Sequence, residues 1–393
     1  MSDPIAHLRI HVYGTQGSGS IFPSRVERAA FRRRADQDLL ALIVADLARH
    51  ADAAGRLQCT VEELIGGPID AATIAAYAAR FEVQEPRVYG GLTTCLRIET
   101  ADDVDIVLDC GSGFRPCARD LQAKWASRPE RHVHLFGSHS HLDHTEGFDQ
   151  AAICFDPRNR LHIYGNRQFL RALDFNLGIF AREVAADVQG VQTPISFMVM
   201  PAKFQAYEIV TPEERADGHP VPHSVTLDLG APIRLGATTI TPFEVFHPAP
   251  CLGYRIEHGG KVFVFCTDHE LRHGAAPDHP DEARSQAAEA RLIAHATGAD
   301  LLYRDGQYLR AEYDGIMGIG GSGPVPRIGW GHSCIEDVVD MATTCGVQHT
   351  LIGHHDPNRD WSERNWLDES MLRRTEGTGT RIEFARSESV YDL

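Results

Sequence analysis

Hydrophobic and polar positions alternate over residues 8–13, which predicts a half-buried strand, and the run ends in the turn Gly14-Thr15-Gln16-Gly17-Ser18-Gly19-Ser20. Glycines in such a turn let backbone approach a ligand closely. Between about Arg25 and Gln84 the period becomes helical, with stretches at 26–50 and 71–81 rich in Ala, Arg, Leu and Asp. This segment, 25–84, reads as a helical insertion. Strand patterns resume after Pro86, at 93–98 and 105–109, the second closed by Gly111-Ser112-Gly113. Further apolar or alternating runs lie at 133–136, 161–164, 239–246, 252–256, 261–266, 301–303 and 348–352, with helical patterns at 281–296 and 335–345. Strands interleaved with helices in mixed spacing predict a layered α/β fold with partly antiparallel sheets.

Length and composition narrow this picture. A chain of 393 residues allows two modest domains or one large α/β domain with an insertion, and the pattern favours a single domain over 1–393 interrupted at 25–84. No run of roughly 18 apolar residues could span a bilayer. The segment MSDPIAHLRIHVYGTQGSGS lacks the basic and apolar regions of a secretion signal, so a cytoplasmic protein with no membrane partner is expected. Nine scattered cysteines with no C-x-x-C pair argue against a disulfide framework and a thiolate zinc cage. A net charge of −16 disfavours a grip on long nucleic acid, but not a small anionic substrate at a bound cation. The 21 histidines call for a search for ligand spacing.

That search finds Ser138-His139-Ser140-His141-Leu142-Asp143-His144 directly after the strand pattern at 133–136. Three imidazoles and a carboxylate within six residues are hard to explain by packing, because buried polar groups need partners and exposed loops rarely concentrate histidine. Imidazole nitrogen and carboxylate oxygen are donors that Zn²⁺ and similar ions accept. While the chain is extended His139 and His141 project to one side, and the turn through Asp143 and His144 swings two more donors to an adjacent point, so one segment can serve two ions. Asp109, His247, Asp268 and His354 stand at four other strand ends, where sites on α/β sheets form. Two positions have rivals. His355 adjoins His354, and only one of the pair can face the ions; His354 is favoured because it ends the apolar run. His219 and His223 in a Pro-rich loop compete with His247, which is favoured by its place between two strands.

The run His139-Ser-His141-Leu-Asp143-His144 resembles the H-x-H-x-D-H signature of the metallo-β-lactamase superfamily, and Asp109, His247, Asp268 and His354 fall in order where its other motifs fall. The resemblance extends over nearly the whole chain outside the insertion, including 14–23, 89–95 and 353–357. It implies a four-layer αββα sandwich with an N-terminal helical insertion. It also implies His139, His141 and His247 on one ion, Asp143, His144 and His354 on a second, Asp268 bridging, and Asp109 orienting the cluster from behind. Two divalent ions are the implied cofactors, zinc foremost, with manganese or iron as alternatives.

Two such ions activate a water and brace attacking and leaving oxygens, so a hydrolase follows, with Asp143 also holding the water in line. Ser333 and Glu336 have capping-box spacing, which predicts His332 at a helix N-terminus beside an anion, with Ser333 touching substrate. The alternative is a histidine that only packs on Trp330. The segment Gly329 to Glu336 resembles the His-Ser-Thr stretch of ribonuclease Z, with Cys334 in place of Thr, and the segment Leu302-Tyr-Arg-Asp305-Gly resembles the acidic stretch before it. No basic arm for tRNA lies between His144 and His247. The chain is more similar to the bacterial branch of phosphoribosyl cyclic phosphate phosphodiesterase and cyclic-nucleotide phosphodiesterases, which share Gly253-Tyr-Arg-Ile256 after the third-motif histidine. The expected reaction is hydrolysis of a small, even cyclic, phosphodiester, with lactones, thioesters and sulfate esters as neighbouring readings. A di-iron redox protein would carry Glu at position 141, and a silent binding protein would not need every ligand. Arg33 in the insertion is a candidate cation for a substrate phosphate, and the insertion itself would cap the site or pair two copies in a homodimer. The glycine-rich stretch 315–326 reads as a substrate-gating loop.

Overall fold

The computed structural model describes residues 6–19, 25–81, 89–273 and 279–393. The chain divides into two compact units, Pro23–Val88 and the remainder. In the smaller unit α1 (Arg25–Arg49), α2 (Val61–Ile65) and α3 (Ala71–Ala78) surround a cluster of Leu64, Ile65 and Tyr77, joined by Ile43, Leu47, Cys59 and Phe81. Thr60 and Glu63 form a capping box at α2, and Asp70 caps α3 by accepting from the Thr73 N–H, so both short helices start where an oxygen meets an orphan donor.

Two β-sheets build the larger unit. In the first, β1 (Leu8–Gly14), β2 (Cys95–Thr100) and β3 (Asp105–Leu108) pair antiparallel. β4 (Arg131–Phe136), β5 (Asn159–Gly165), β6 (Lys203–Val210) and β7 (Val225–Asp228) continue in parallel. In the second, β8 (Ile233–Leu235), β9 (Thr238–Val245), β10 (Cys251–His258) and β11 (Lys261–Cys266) run antiparallel, and β12 (Leu301–Asp305), β13 (His349–Gly353) and β14 (Arg381–Phe384) follow in parallel. β15 (Val390–Asp392) closes the free edge of β1 in the first sheet.

Parallel pairs require crossovers, which these helices supply. α4 (Phe114–Lys124) and α5 (Arg167–Leu177) cover the first sheet, burying Phe114, Leu121, Phe169 and Leu173 on Val107, Val133 and Ile163. A short α6 (Pro212–Ala216) follows β6. On the second sheet α7 (Pro280–Ala296) packs against β9 to β11, α9 (Ile335–Thr344) against β13 and α10 (Trp361–Arg374) against β14, with the single turn α8 (Arg310–Tyr313) between. Period-two alternation sends Ile10, Ile98, Leu108 and Phe136 of one sheet and Ile256, Phe263, Tyr303 and Leu351 of the other into a shared core. The result is helix, sheet, sheet, helix. All nine cysteines are free thiols, eight of them buried. No helix among the described residues is long and apolar enough to cross a membrane.

Candidate metal centre

Strands β3, β4, β9, β11, β12 and β13 end at one edge of the sandwich, and the residues after them carry the polar cluster. β4 leads through Gly137 and Ser138 to His139, after which a 3₁₀ turn at Leu142–His144 folds Asp143 and His144 back beneath it. Asp109, Asp268 and His354 follow β3, β11 and β13 with φ of 59°, 38° and 53°. Three non-glycine residues in the left-handed region mark local strain, which aims each side chain sideways at the cluster instead of along its strand.

Two donor groups form. His139, His141, His247 and Asp268 offer one set of ligand atoms within 4.8 Å of one another; Asp143, His144, Asp268 and His354 offer the other. Asp268 is common to both. It stands 3.4 Å from His139 Nε2, and 3.3 Å from Nε2 of both His144 and His354. Most of the imidazoles are anchored through Nδ1. Asp109 Oδ2 lies 2.7 Å from His144 Nδ1, Ser138 Oγ 3.1 Å from His139 Nδ1, the Gly331 carbonyl 3.0 Å from His247 Nδ1 and Gln307 Oε1 3.1 Å from His354 Nδ1. Their Nε2 atoms are thereby presented to the centre. Those of His139 and His144 are fully buried without a hydrogen-bond partner. A buried lone pair without a partner costs stability unless a ligand takes it, and borderline nitrogen and oxygen donors suit divalent cations, so these residues fit a binuclear metal site.

The electrostatics agree. Burial is the largest influence on each group. It lowers His247 to about 4 and carries His139 well below the usual imidazole range, with His144 adding to the effect. Against burial, Asp268, Asp143 and Asp109 hold His144 well above that range, and Asp268 and Asp143 raise His354. The same imidazoles keep Asp143 and Asp268 well below the usual carboxylate range despite their burial. Without cations, the two carboxylates are balanced by protons on imidazole. His141 alone among the donors is solvent-exposed, and Leu142 beside it is 69% exposed, so this is the open side of the centre.

The rivalries between neighbouring histidines resolve plainly. His354 faces the cluster, whereas His355 turns to the Ala385 carbonyl at 2.8 Å and packs on Phe384. His247 joins the cluster; His219 lines a separate pocket of about 190 Å³ with Arg167 and Glu208. Gly17 of the glycine-rich turn sits so close to His354 that a Cβ there would lie 2.6 Å from the ring. The end of that turn, 20–23, and residues 82–84 of the insertion lie outside the described residues.

His332 is not a donor to either group. Its ring stacks on His354 at 4.5 Å, and its Nδ1 lies 3.2 Å from Asp305 Oδ2. Asp305, fully buried at the end of β12, also accepts from the N–H groups of His269 and Ser333 at 3.1 and 3.2 Å. The expected capping box does not form. Cys334 is the N-cap of α9, without a side-chain cap, and Glu336 accepts from the Arg310 N–H. Ser333 is fully buried, its hydroxyl donating to the His269 carbonyl and accepting from Arg304, so it supports the site and is not presented to substrate. His332 therefore owes its placement to Asp305, not to a helix end. The loop 315–326 is tied down by Ile319, buried with Tyr308 and Tyr313, and by the Arg327 N–H donating to the Tyr313 carbonyl at 2.8 Å. Arg33 is exposed on α1, in the other unit. Sequence reasoning gave Ser138 no role and missed Gln307 and Glu270; the buried Glu270 carboxylate accepts from Gly329 and Gly331 N–H at 2.8 and 2.9 Å and fixes the loop that touches His247.

No curated protein matches the sequence. The family profile described as the Beta-lactamase superfamily domain matches residues 105–355, well over half the chain. Among solved structures, Zn²⁺-bound PqqB from Methylobacterium extorquens is similar at 14% identity and TM-score 0.50, covering 98% of this chain and 100% of that one. The metallo-beta-lactamase fold protein YhfI from Bacillus subtilis is similar at 14% identity and TM-score 0.47, covering 98% and 99%. A diphosphatase from the PhnP family is similar at 14% identity and TM-score 0.48, covering 98% of each. At such identity the likeness concerns the fold alone.

Proposed function

Because the chain belongs to the beta-lactamase superfamily, we propose that it is a two-metal hydrolase of small phosphodiesters. His139, His141 and His247 would hold one divalent ion and Asp143, His144 and His354 the other, with Asp268 shared and zinc the proposed metal. Bound there, the ions would supply the Lewis acidity that makes water nucleophilic at neutral pH and steadies charge on the attacked group. Asp143 would accept a hydrogen bond from the attacking water and fix its direction.

The observation that carries the phosphodiester reading is His332. It is an imidazole beside the cluster that is not one of its donors, with Nδ1 directed at a carboxylate held by two backbone N–H groups. Nε2 then lies on the ring edge away from Asp305, free to donate to a non-bridging oxygen or to protonate the leaving alkoxide. A poor leaving group needs that proton, and a phosphodiester has one.

The test is turnover of bis(p-nitrophenyl) phosphate, cyclic nucleotides, a lactone and a thioester by metal-loaded protein. Phosphodiesters are expected to be preferred. On the cyclic nucleotides, whose alkoxide leaves poorly, His332→Ala is expected to lower kcat by about 10² to 10⁴ with metal content unchanged. Undiminished cyclic-nucleotide hydrolysis in that variant, or a preference for lactone or thioester, would overturn the reading.

A further inference from the structure

The loop that delivers His332 also carries a cation, Arg327, that meets no anion among the described residues. We infer that Arg327 and Trp330 form an anion-binding subsite for the part of the substrate that is not cleaved. The inference rests on the phosphodiesterase reading of the neighbouring centre and names the substrate class for it.

Residues 327–330 make a turn closed by the Trp330 N–H donating to the Arg327 carbonyl at 3.1 Å. The Arg327 Cζ stands 4.2 Å from the centroid of the Trp330 ring and 5.8 Å from that of Tyr308. Among the described residues its guanidinium meets no carboxylate and makes no side-chain hydrogen bond, whereas Arg304, Arg310 and Arg359 nearby each meet an acidic partner. Unlike other arginines without an ion pair among the described residues, such as Arg115, Arg160 and Arg234, Arg327 is only partly exposed and lies on the loop that delivers His332. Tyr308 is fully buried, stands edge-on to His332 at 6.0 Å, and its hydroxyl has no partner among the described residues. The guanidinium and the imidazole assigned to the scissile phosphate thus both lie within about 6 Å of one aromatic ring.

A guanidinium can keep its stack on an indole while its fork of N–H groups binds a phosphate or carboxylate in two-point fashion. Trp330 is 50% exposed, so it also offers a flat apolar surface to whatever links the two anions. The substrate class this fits is a phosphodiester whose retained organic part bears a second anionic group, a phosphate or a carboxylate, on a planar or sugar-like spacer.

The experiment compares p-nitrophenyl esters of thymidine 5′-phosphate with and without a 3′-phosphate, using metal-loaded wild type, Arg327→Ala and Arg327→Lys. Wild type is expected to favour the 3′-phosphorylated ester in kcat/KM by about tenfold or more, through KM. Arg327→Ala should abolish that preference, and Arg327→Lys should restore part of it. No preference in wild type, or an equal loss on both esters in Arg327→Ala, would overturn the subsite. If neither ester is cleaved, the parent reading falls. The subsite is then read by Trp330 fluorescence, taken as the difference between wild type and Trp330→Phe, during titration with thymidine 3′,5′-bisphosphate and thymidine 5′-monophosphate. Tighter binding of the bisphosphate that Arg327→Ala removes would uphold it; equal affinities would refute it.

Discussion

At the scale of single residues, the centre is prepared for cations by groups that hold its histidines and by the protons it must give up. Asp109 receives Ser138 N–H at 2.6 Å and Ser138 Oγ–H at 2.8 Å while meeting His144 Nδ1, so its carboxylate is fixed before any ion arrives. Asp109→Asn keeps the shape but removes the charge that makes His144 a stronger donor. Metal affinity should fall about 10- to 100-fold, read by competition with a chelator; unchanged affinity would mean Asp109 only packs. The protons give a second expectation. Although burial opposes it, Asp268 and its neighbours hold His144 and His354 above their usual range, so loading must displace protons from them. Affinity should therefore rise with pH through those raised values. Metal-free protein should show the opposite trend in stability: the gain from charged imidazole is present below the unfolded pKa and lost as pH rises through the folded one. Calorimetric titration in buffers of different ionisation heat measures the protons released, and a count of zero would contradict this account.

At the scale of elements, what was legible depended on how local the cause was. All seven proposed ligands could be picked out: four by the density of imidazole and carboxylate in the short segment after β4, and His247, Asp268 and His354, like Asp109, because each is a polar residue following an apolar strand. Gln307 and Glu270 could not, because their partners, His354 and the loop at 329–331, lie 47 and about 60 residues away and nothing in the local text ties them. Strand β6 was missed because Glu208, buried against Arg167, interrupts the core face of an otherwise alternating run. α5 was legible and passed over: Asn166 caps it, and Phe169, Leu170, Leu173 and Leu177 recur at helical spacing. Ser333 misled for the reverse reason, since tertiary bonds to Arg304 and the His269 carbonyl outbid a local cap. The turn before it yields a prediction. Gly331 has φ of 94°, and a Cβ there would lie 2.0 Å from His247 Nδ1, while Glu270 keeps the backbone from retreating. Gly331→Ala should therefore displace His247 and cost most of one bound ion and at least about tenfold in activity, with the fold intact. Metal analysis with circular dichroism checks it, and two tightly held ions in the variant would count against the assignment of His247.

At the scale of the molecule, the donors join the two sheets. His139, His141, Asp143 and His144 come from the segment after β4 in the first sheet, and His247, Asp268 and His354 from the ends of β9, β11 and β13 in the second. Elsewhere the sheets are held together by apolar packing that needs no ligand, centred on Ile10, Phe136, Phe263 and Tyr303. Cations at the rim would therefore act as staples at one end of an independently cored sandwich. A ligand bound to the folded state alone adds about 2.7 kcal/mol when its concentration is a hundredfold above its dissociation constant. Chelation should accordingly lower the unfolding midpoint by several degrees without abolishing the fold. The loss should also be local. Residues 138–144, 247, 268 and 354 would lose the ions that tie the two sheets together, and their backbone should open first. None of the donors comes from Pro23–Val88, whose helices pack on their own cluster of Leu64, Ile65 and Tyr77. Hydrogen exchange with and without chelator separates the two: protection should fall at the strand ends around the centre and stay constant in α1 and α3. An equal loss in both units would show that the ions stabilise something other than the junction of the sheets.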